Sequence, residues 1–478
     1  MLARFILEVQ MLTFNGPSYQ LATRKASLQR AVNLHLVGME AGAKSAFILQ
    51  SVPGLVLRNT VSGEYRGGIE AGARAFMVFG STLYEVTSSY ALTSRGTLSS
   101  STGPVSMSYG LTQLVIVDGT RGYVMTLASN VFAGITDVDF PGAATVTFID
   151  NYFVFTRDRV GQQFQVSAIN DASNLDALDF ASAEGLPDDI VSHITLQPGL
   201  MLFGTLSAEL FVNTGAADFP FERARGAGFH VGLVAKNSLC AFDNGCIWLG
   251  RDKDGSGLVF RLVGGQPQRV STQAVEQALQ ASTDITQAWG TTYQRNGLSF
   301  YCINAPGLTA TWCYEASTST WHERCDLDGV GQYQAGRITG HLFAFGKHLA
   351  GDASSRLYEL DDAVSLNGSD VLVRERTSPN DAVPGRTRQF FQAFYLDATT
   401  GQAGQGIAPM VELSWSDDSG KTWAPTVQRS LGLVGEIFAR LLWTRLGVSR
   451  DRIWRVRCSA NAPFSIIDAG ADAKPGSN

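Results

Sequence analysis

The sequence has little charge, few prolines and few of the residue groupings that catalysis or metal binding needs. Charged residues make up 17% of the 478 positions and hydrophobic ones 45%. That balance excludes a disordered chain, which lacks the apolar content to build a core. No run of 18 apolar residues occurs, so no segment reads as a membrane-spanning helix and no membrane insertion is expected. The start, 1–9, is apolar but short, carries only Arg4 as a basic residue and lacks a signal-peptide layout. A second methionine, Met11, opens a more ordinary stretch, so the first ten residues read as a loose extension. The net charge of −6 argues against a protein that coats nucleic acid, which would lean on a basic excess. It is compatible with an acidic channel that DNA slides through without sticking.

The six cysteines, Cys240, Cys246, Cys302, Cys313, Cys325 and Cys458, include no C-x-x-C pair, which argues against a zinc ribbon. Buried or free thiols in a reducing compartment are expected. A disulfide stays open for Cys240 and Cys246, which flank a hairpin. The six histidines, His35, His193, His230, His322, His341 and His348, form no H-x-x-x-H or H-E-x-x-H pair. His341 and His348 lie seven apart across a predicted turn, too weak a pattern for a metal site.

What is present is a repeat. Apolar strand-like runs return at Ala75–Gly80, Leu114–Gly119, Tyr152–Thr156, Leu200–Gly204, Leu239–Asp243, Leu298–Cys302 and Leu342–Gly346. Their spacing of roughly 40–60 residues is the length of one four-stranded propeller blade. Gly stands at 50 against Pro 15, fitting many tight turns between short strands. The fold class predicted is all-β: an irregular six- or seven-bladed β-propeller with a C-terminal β-sandwich-like domain. The blade count stays open because the copy near Tyr301 is poorly spaced. The division predicted is an N-terminal arm at 1–55, the propeller at 56–362, a linker or exposed loop at 363–389 with Pro379 and Pro384, the sandwich at 390–470 and a frayed tail at 471–478. Two interruptions read as helical. One is 168–180, with Asn170 or Asp171 as cap. The other is 272–279, capped by Thr272 or Ser271, with Val275 and Leu279 one turn apart on one face.

Several motifs invite a chemical reading. Ser416 to Trp423 fits S-x-D-x-G-x-x-W, similar to the Asp-box hairpin of sialidase-like propellers. That box is structural, and a sialidase also needs several copies, an arginine cluster and a tyrosine nucleophile, none legible here. Gly420-Lys421-Thr422 ends like a phosphate loop, but Trp415 stands where its first glycine belongs. Asp252-Lys253-Asp254-Gly255 begins like a calcium loop and lacks the distal ligands, so a polar hairpin tip is expected. The acidic pairs Asp188-Asp189, Asp361-Asp362 and Asp417-Asp418 fall in turns, where solvated charge is the default. No catalytic, cofactor-binding or metal residue is assigned, and no cofactor is expected.

One segment is more specific: Phe203-Gly204, Ser207 to Phe211, Asn213-Thr214-Gly215 and Phe219 to Arg223. Further stretches keep the same order, among them Gln29 to Asn33, Asp137 to Pro141, Trp248-Leu249-Gly250, Trp321-His322-Glu323 and Trp443 to Gly447. Together they resemble the tail hub, or packaged-DNA stabilisation, proteins of short-tailed bacteriophages, over about 11–468. The resemblance implies a non-enzymatic virion tail protein assembled in the host cytoplasm. It implies a homo-hexameric ring below the portal and its adaptor ring, extending the DNA channel and retaining the genome. Tail spike, fibre or needle proteins would dock on it, and translocating double-stranded DNA would touch it passively. The rival readings are a sialidase-like propeller glycosidase and a carbohydrate-binding module at a tail tip.

Overall fold

Runs that are apolar at every position, such as Leu114–Val117 and Leu200–Phe203, suit strands covered on both faces. The computed structural model describes residues 9–11, 14–183, 185, 188–216, 218–252, 255–382, 387–402 and 408–476. It places these runs inside a ring of seven blades. Blade 1 holds Tyr65–Ala71, Arg74–Phe79, Thr82–Val86 and Leu92–Thr97. Blade 2 spans Ser106–Tyr109 to Val131–Gly134, blade 3 Thr145–Ile149 to Asp171–Ser182 and blade 4 Ile190–Leu196 to Phe221–Arg223. In blade 5 the inner edge is split into Gly232–Leu233 and Cys240–Phe242, both paired to Gly245–Asp252. Blade 6 holds Trp289–Arg295, Leu298–Asn304, Thr311–Glu315 and Thr320–Leu327. Blade 7 takes three strands from Ile338–Ala344, Lys347–Asp352 and Arg356–Asp361. Its outer strand is Gly54–Thr60, paired antiparallel to Arg356–Asp361, so an early segment closes the ring.

Five of the seven repeat copies are second strands of their blades. The Leu239 copy falls on the split inner edge of blade 5, and the Leu342 copy ends the first strand of blade 7. The irregular spacing near Tyr301 has a cause: the helix Gln273–Gln280 and the 3-10 turn Ile285–Gln287 separate blades 5 and 6. Val275 and Leu279 are both fully buried, as their spacing predicts. Thr272 is the N-cap residue, but its hydroxyl makes no capping bond. Ser271 instead donates to Glu276 Oε1 at 2.6 Å.

The second expected helix is absent. Asp171–Ser182 is a strand that pairs with Gln163–Ala168 through two register shifts. Asn170 makes the turn at φ 58°, and Asp171 Oδ1 accepts from Ser173 N at 3.0 Å and Oγ at 2.6 Å. That side-chain turn competes with helical hydrogen bonding and wins.

The stretches expected as arm, linker and tail contribute strands to the C-terminal unit. One sheet runs in the order Leu34–Gly38, Phe47–Ser51, Ser465–Pro475, Gln389–Ala398 and Leu441–Thr444. Val9–Met11 adds along Ser465–Pro475, so the backbone of 9–11 is paired; residues 1–8 of the expected extension, Arg4 among them, lie outside the described residues. The strand Ser465–Pro475 also includes most of the expected tail. The facing sheet holds Leu28–Val32, Arg374–Thr377, Asp451–Cys458, Met410–Ser416 and Val427–Ser430. All four residues of Arg374–Thr377 are buried, although the expected linker contains them; Pro384 lies outside the described residues. Between the sheets pack Phe14, Leu49, Phe394, Trp443, Trp454 and Ile466. The second sheet does not end at the sandwich. Val32 bridges in parallel to Glu323, the outer strand of blade 6, so propeller and sandwich share one hydrogen-bonded sheet.

Candidate assembly site at the propeller–sandwich junction

The junction is made where three distant segments meet, and its buried polar groups set the geometry. Asn33 turns the chain between two strands at φ 53°. Its Nδ2 donates to Cys325 O and Val373 O, both at 2.8 Å, and its Oδ1 accepts from Cys325 N at 3.1 Å. One amide therefore holds the N-terminal segment, blade 6 and the segment after blade 7. Beside it Arg30 forks onto Glu323, with Nη2 to Oε2 at 2.5 Å, and lies over the Tyr333 ring at 4.9 Å. Tyr333 donates to Glu375 at 2.9 Å. On the other flank Arg337 pairs with Asp326 at 2.8 Å and Asp370 at 2.9 Å, and Asn367 donates to Asp326 at 2.5 Å.

Behind this layer three arginines are almost fully buried. Arg376 meets no carboxylate among the described residues: it donates to Phe14 O at 2.6 Å, Pro17 O at 3.0 Å, Arg30 O at 3.3 Å and Gln29 Oε1 at 3.2 Å. Burial lowers its pKa to about 9. Arg374 satisfies the carbonyls of Cys458, Ala460 and Ala462. Arg452 forks onto Asp417 at 2.7 and 2.9 Å, donates to Leu446 O and stacks over Phe391 at 4.5 Å. Arginine suits these places because its planar fork can satisfy several acceptors at once. Sequence reasoning passed over them: Arg374-Glu375-Arg376-Thr377 looks like solvated charge. The available signal was alternation next to the apolar Leu372-Val373.

The motifs singled out in the sequence resolve into local structure. In the Asp-box-like hairpin, Ser416 Oγ accepts from Gly420 N at 2.9 Å and donates to Asp418 at 2.8 Å. Asp418 accepts from Thr422 N and Oγ1, and those bonds lower its pKa to about 2. Asp417 is committed to Arg452, and Trp423 lies under Arg455 at 3.9 Å rather than in a core. Asp188, expected to be solvated, is buried and caps the 205–207 turn, accepting from Thr205 N at 2.8 Å, Leu206 N at 2.7 Å and Ser207 N at 2.9 Å. Asp361 accepts from Ala363 N, and Asp362 pairs with Arg295 at 2.9 Å. Lys253 and Asp254 of the calcium-like loop lie outside the described residues.

His341 and His348 do meet, Nε2 to Nδ1 at 3.0 Å, on adjacent strands of blade 7. Burial, then the neighbouring His348, hold the His341 pKa down at about 3. His35 sets its ring edge-on to Phe300 at 5.2 Å and lies near His322 at 5.8 Å; burial lowers its pKa to about 4. His193 sits between the hydroxyls of Thr145 and Thr156 at 3.2 and 3.0 Å. Among the described residues no three His, Cys, Asp or Glu gather as a metal site. All six cysteines are free, five of them buried; Cys240 faces Ile247 rather than Cys246 across its hairpin.

A closed propeller continued by strand pairing into a sandwich defines a structural class: a scaffold in which two units form one sheet-linked body. The comparisons name the family. Residues 22–365 match the family described as "Bacteriophage P22 Gp10, beta-propeller", and residues 384–474 match "Bacteriophage P22 Gp10, beta-sandwich". The chain belongs to the bacteriophage P22 Gp10 family, the tail hub and DNA-stabilising proteins of the virion. No curated protein matches the chain. Solved structures are only distantly similar. The N-terminal domain of Nup159 is 8% identical, with 70% of this chain and 99% of that chain covered and a TM-score of 0.41. PorZ, a surface component of the type-IX secretion system of Porphyromonas gingivalis, is 12% identical, with 78% and 46% covered and a TM-score of 0.40.

Proposed function

We propose that the chain is a tail hub or nozzle subunit. In this reading it forms a homo-hexameric ring below the portal and its adaptor ring, extends the DNA channel, retains packaged DNA and docks distal spike, fibre or needle proteins. It does no chemistry, sits in the virion tail and is assembled in the host cytoplasm. The observation that carries the reading is the unbroken sheet from blade 6 into the sandwich, in a chain whose two units both match the phage family. A part loaded by packed DNA must not pivot between its units, and a shared sheet removes that pivot.

Two further observations support it. A closed cyclic ring needs two different contact faces on each subunit, and partners need more. Apolar side chains are exposed on the 432–438 loop, at Leu433, Val434, Ile437 and Phe438, and on blades 2 and 3, at Leu111, Val138, Ile169 and Leu178. Apolar groups left exposed together mark protein contacts more often than chance. The net charge of −6 suits passive contact with DNA during translocation. Electron microscopy of intact particles tests the reading. Six copies around the tail axis below the portal are expected; density for this chain elsewhere in the particle, or a chain that never enters it, overturns the reading.

A further inference from the structure

On blade 6, beside the junction, lies a cysteine pair that makes none of the junction's hydrogen bonds described above. Cys302 and Cys313 stand directly opposite each other on the antiparallel strands Leu298–Asn304 and Thr311–Glu315. The Sγ atoms of Cys302 and Cys313 are in direct contact across the two strands. Directly opposed residues of antiparallel strands bring their Cα atoms within the span that a disulfide bridges. The two thiols are not equivalent. Cys313 is fully buried, whereas Cys302 keeps 8% of its surface accessible and lines a cavity of about 60 Å³. That is room for about two water-sized molecules.

The cavity also presents a cation. Arg324 lines it and donates to the Tyr293 hydroxyl, but its Nε is buried without a hydrogen-bond partner, and no carboxylate pairs with it among the described residues. A guanidinium in this state favours an anion beside it, and a thiolate at Cys302 is the group in place to supply one. Burial pushes the Cys302 thiol up, but the contact with Cys313 and the charge of Arg324 bring it below its ordinary value. Cys313 is pushed well above its ordinary value by burial and by Cys302. Because Cys302 lines the cavity and Cys313 does not, Cys302 is placed to be the attacking sulfur and Cys313 the resolving one.

We propose that Cys302 and Cys313 are a redox-modifiable pair, converted to a cross-strand disulfide by a small oxidant of the peroxide class that enters through this cavity. The Cys302 thiolate attacks one peroxide oxygen, the O–O bond breaks, and Cys302 becomes a sulfenic acid while hydroxide leaves. Cys313 sulfur then attacks Cys302 Sγ, the S–O bond breaks, and the departing oxygen leaves as water. Two thiols lose two electrons to one hydrogen peroxide, giving one disulfide and two waters. The bond staples the second and third strands of blade 6, and reducing cytoplasm delays it until the particle leaves the cell. This inference does not depend on the position of the chain in the tail.

The test uses the full-length, reduced protein. It is treated with hydrogen peroxide, denatured, alkylated and digested without reductant, and its cysteines are mapped by mass spectrometry. Loss of two of the six alkylatable thiols, a Cys302–Cys313 cross-linked peptide and full recovery with dithiothreitol are expected. In Cys313→Ser, Cys302 is trapped by dimedone as the sulfenic acid; in Cys302→Ser, Cys313 stays reduced. Six alkylatable thiols after treatment, a different linkage, or oxidation to sulfinic acid without cross-link overturns the proposal. Should either variant fail to fold, the wild-type cross-link map decides alone.

Discussion

The blade interfaces and the propeller–sandwich junction are both buried, yet they are held by different physics. Between blades 4 and 5, Phe203, Phe229, Trp248 and Phe260 pack ring on ring, with centroids 5.0 to 6.2 Å apart. Such packing is strong and tolerant of angle, so seven blades of unequal length can share one design. At the junction, Asn33, Arg30, Arg374 and Arg376 replace apolar contact with hydrogen bonds that have preferred directions. Buried polar contacts of this kind add little net stability and are costly to break. The comparison teaches that the ring is built for adhesion and the junction for a fixed relative orientation.

The largest effect is expected where adhesion is removed. Trp248→Ala should cost about 3–5 kcal/mol, read by urea unfolding. Hydrogen exchange should show the loss in blades 4 and 5 while the sandwich stays protected. Arg376→Met should cost about 2–3 kcal/mol by leaving the Phe14, Pro17 and Arg30 carbonyls short of a donor. Its expected signature is different: the single unfolding transition splits, with the sandwich released first. If both variants lose the whole molecule together, the distinction between the regions fails.

Acid provides a graded test. His35 at the junction and His193 within the ring are both held neutral by burial, with pKa values of about 4 and about 3 against an ordinary 6.5. The unfolded chain therefore binds more protons as pH falls below 6.5, and stability present above that pH is lost on acidification. Each histidine contributes a loss of about 1 kcal/mol per pH unit. The His35 contribution stops growing near pH 4 and that of His193 continues to about pH 3. His35→Gln should flatten unfolding free energy between pH 6.5 and 4, and His193→Gln should flatten it over the wider window. The smallest effect is local: Ser416→Ala removes the acceptor for Gly420 N and should cost about 1 kcal/mol, with the ring's thermal transition unmoved.

The same contrast governs what could be read from the sequence. The second strands of the blades were legible because burial on both faces writes a continuous apolar run such as Leu114-Val115-Ile116-Val117. The sandwich was legible through alternation at Val411-Glu412-Leu413 and Ile453-Trp454. The junction was not, because its strands take partners hundreds of residues away: Arg30 meets Thr377, and Val32 meets Glu323. A charged residue whose partner is an unrelated backbone carbonyl leaves no local pattern. The 168–180 misreading has a similar origin, since Asp171 binds Gln113 of the neighbouring blade as well as its own turn. The segment 203–223 was readable only through its resemblance to the phage family; Asp188, which caps its 205–207 turn, lies outside it.

The closure of blade 7 by Gly54–Thr60, and of the sandwich by Ser465–Pro475 against Phe47–Ser51, has a consequence in time. At a ribosomal pace of ~5–20 residues per second, the roughly 300 residues between the blade 7 partners take ~15–60 s to make, and the roughly 400 between the sandwich partners ~20–80 s. Through that interval Leu55 has been synthesised without its partner Leu360, and Leu49, paired to Leu36, keeps its other edge open. Each newborn chain therefore spends most of its synthesis with open strand edges, in a cell producing many copies at once. Exchange of these early strands between neighbouring chains is the error this topology most invites.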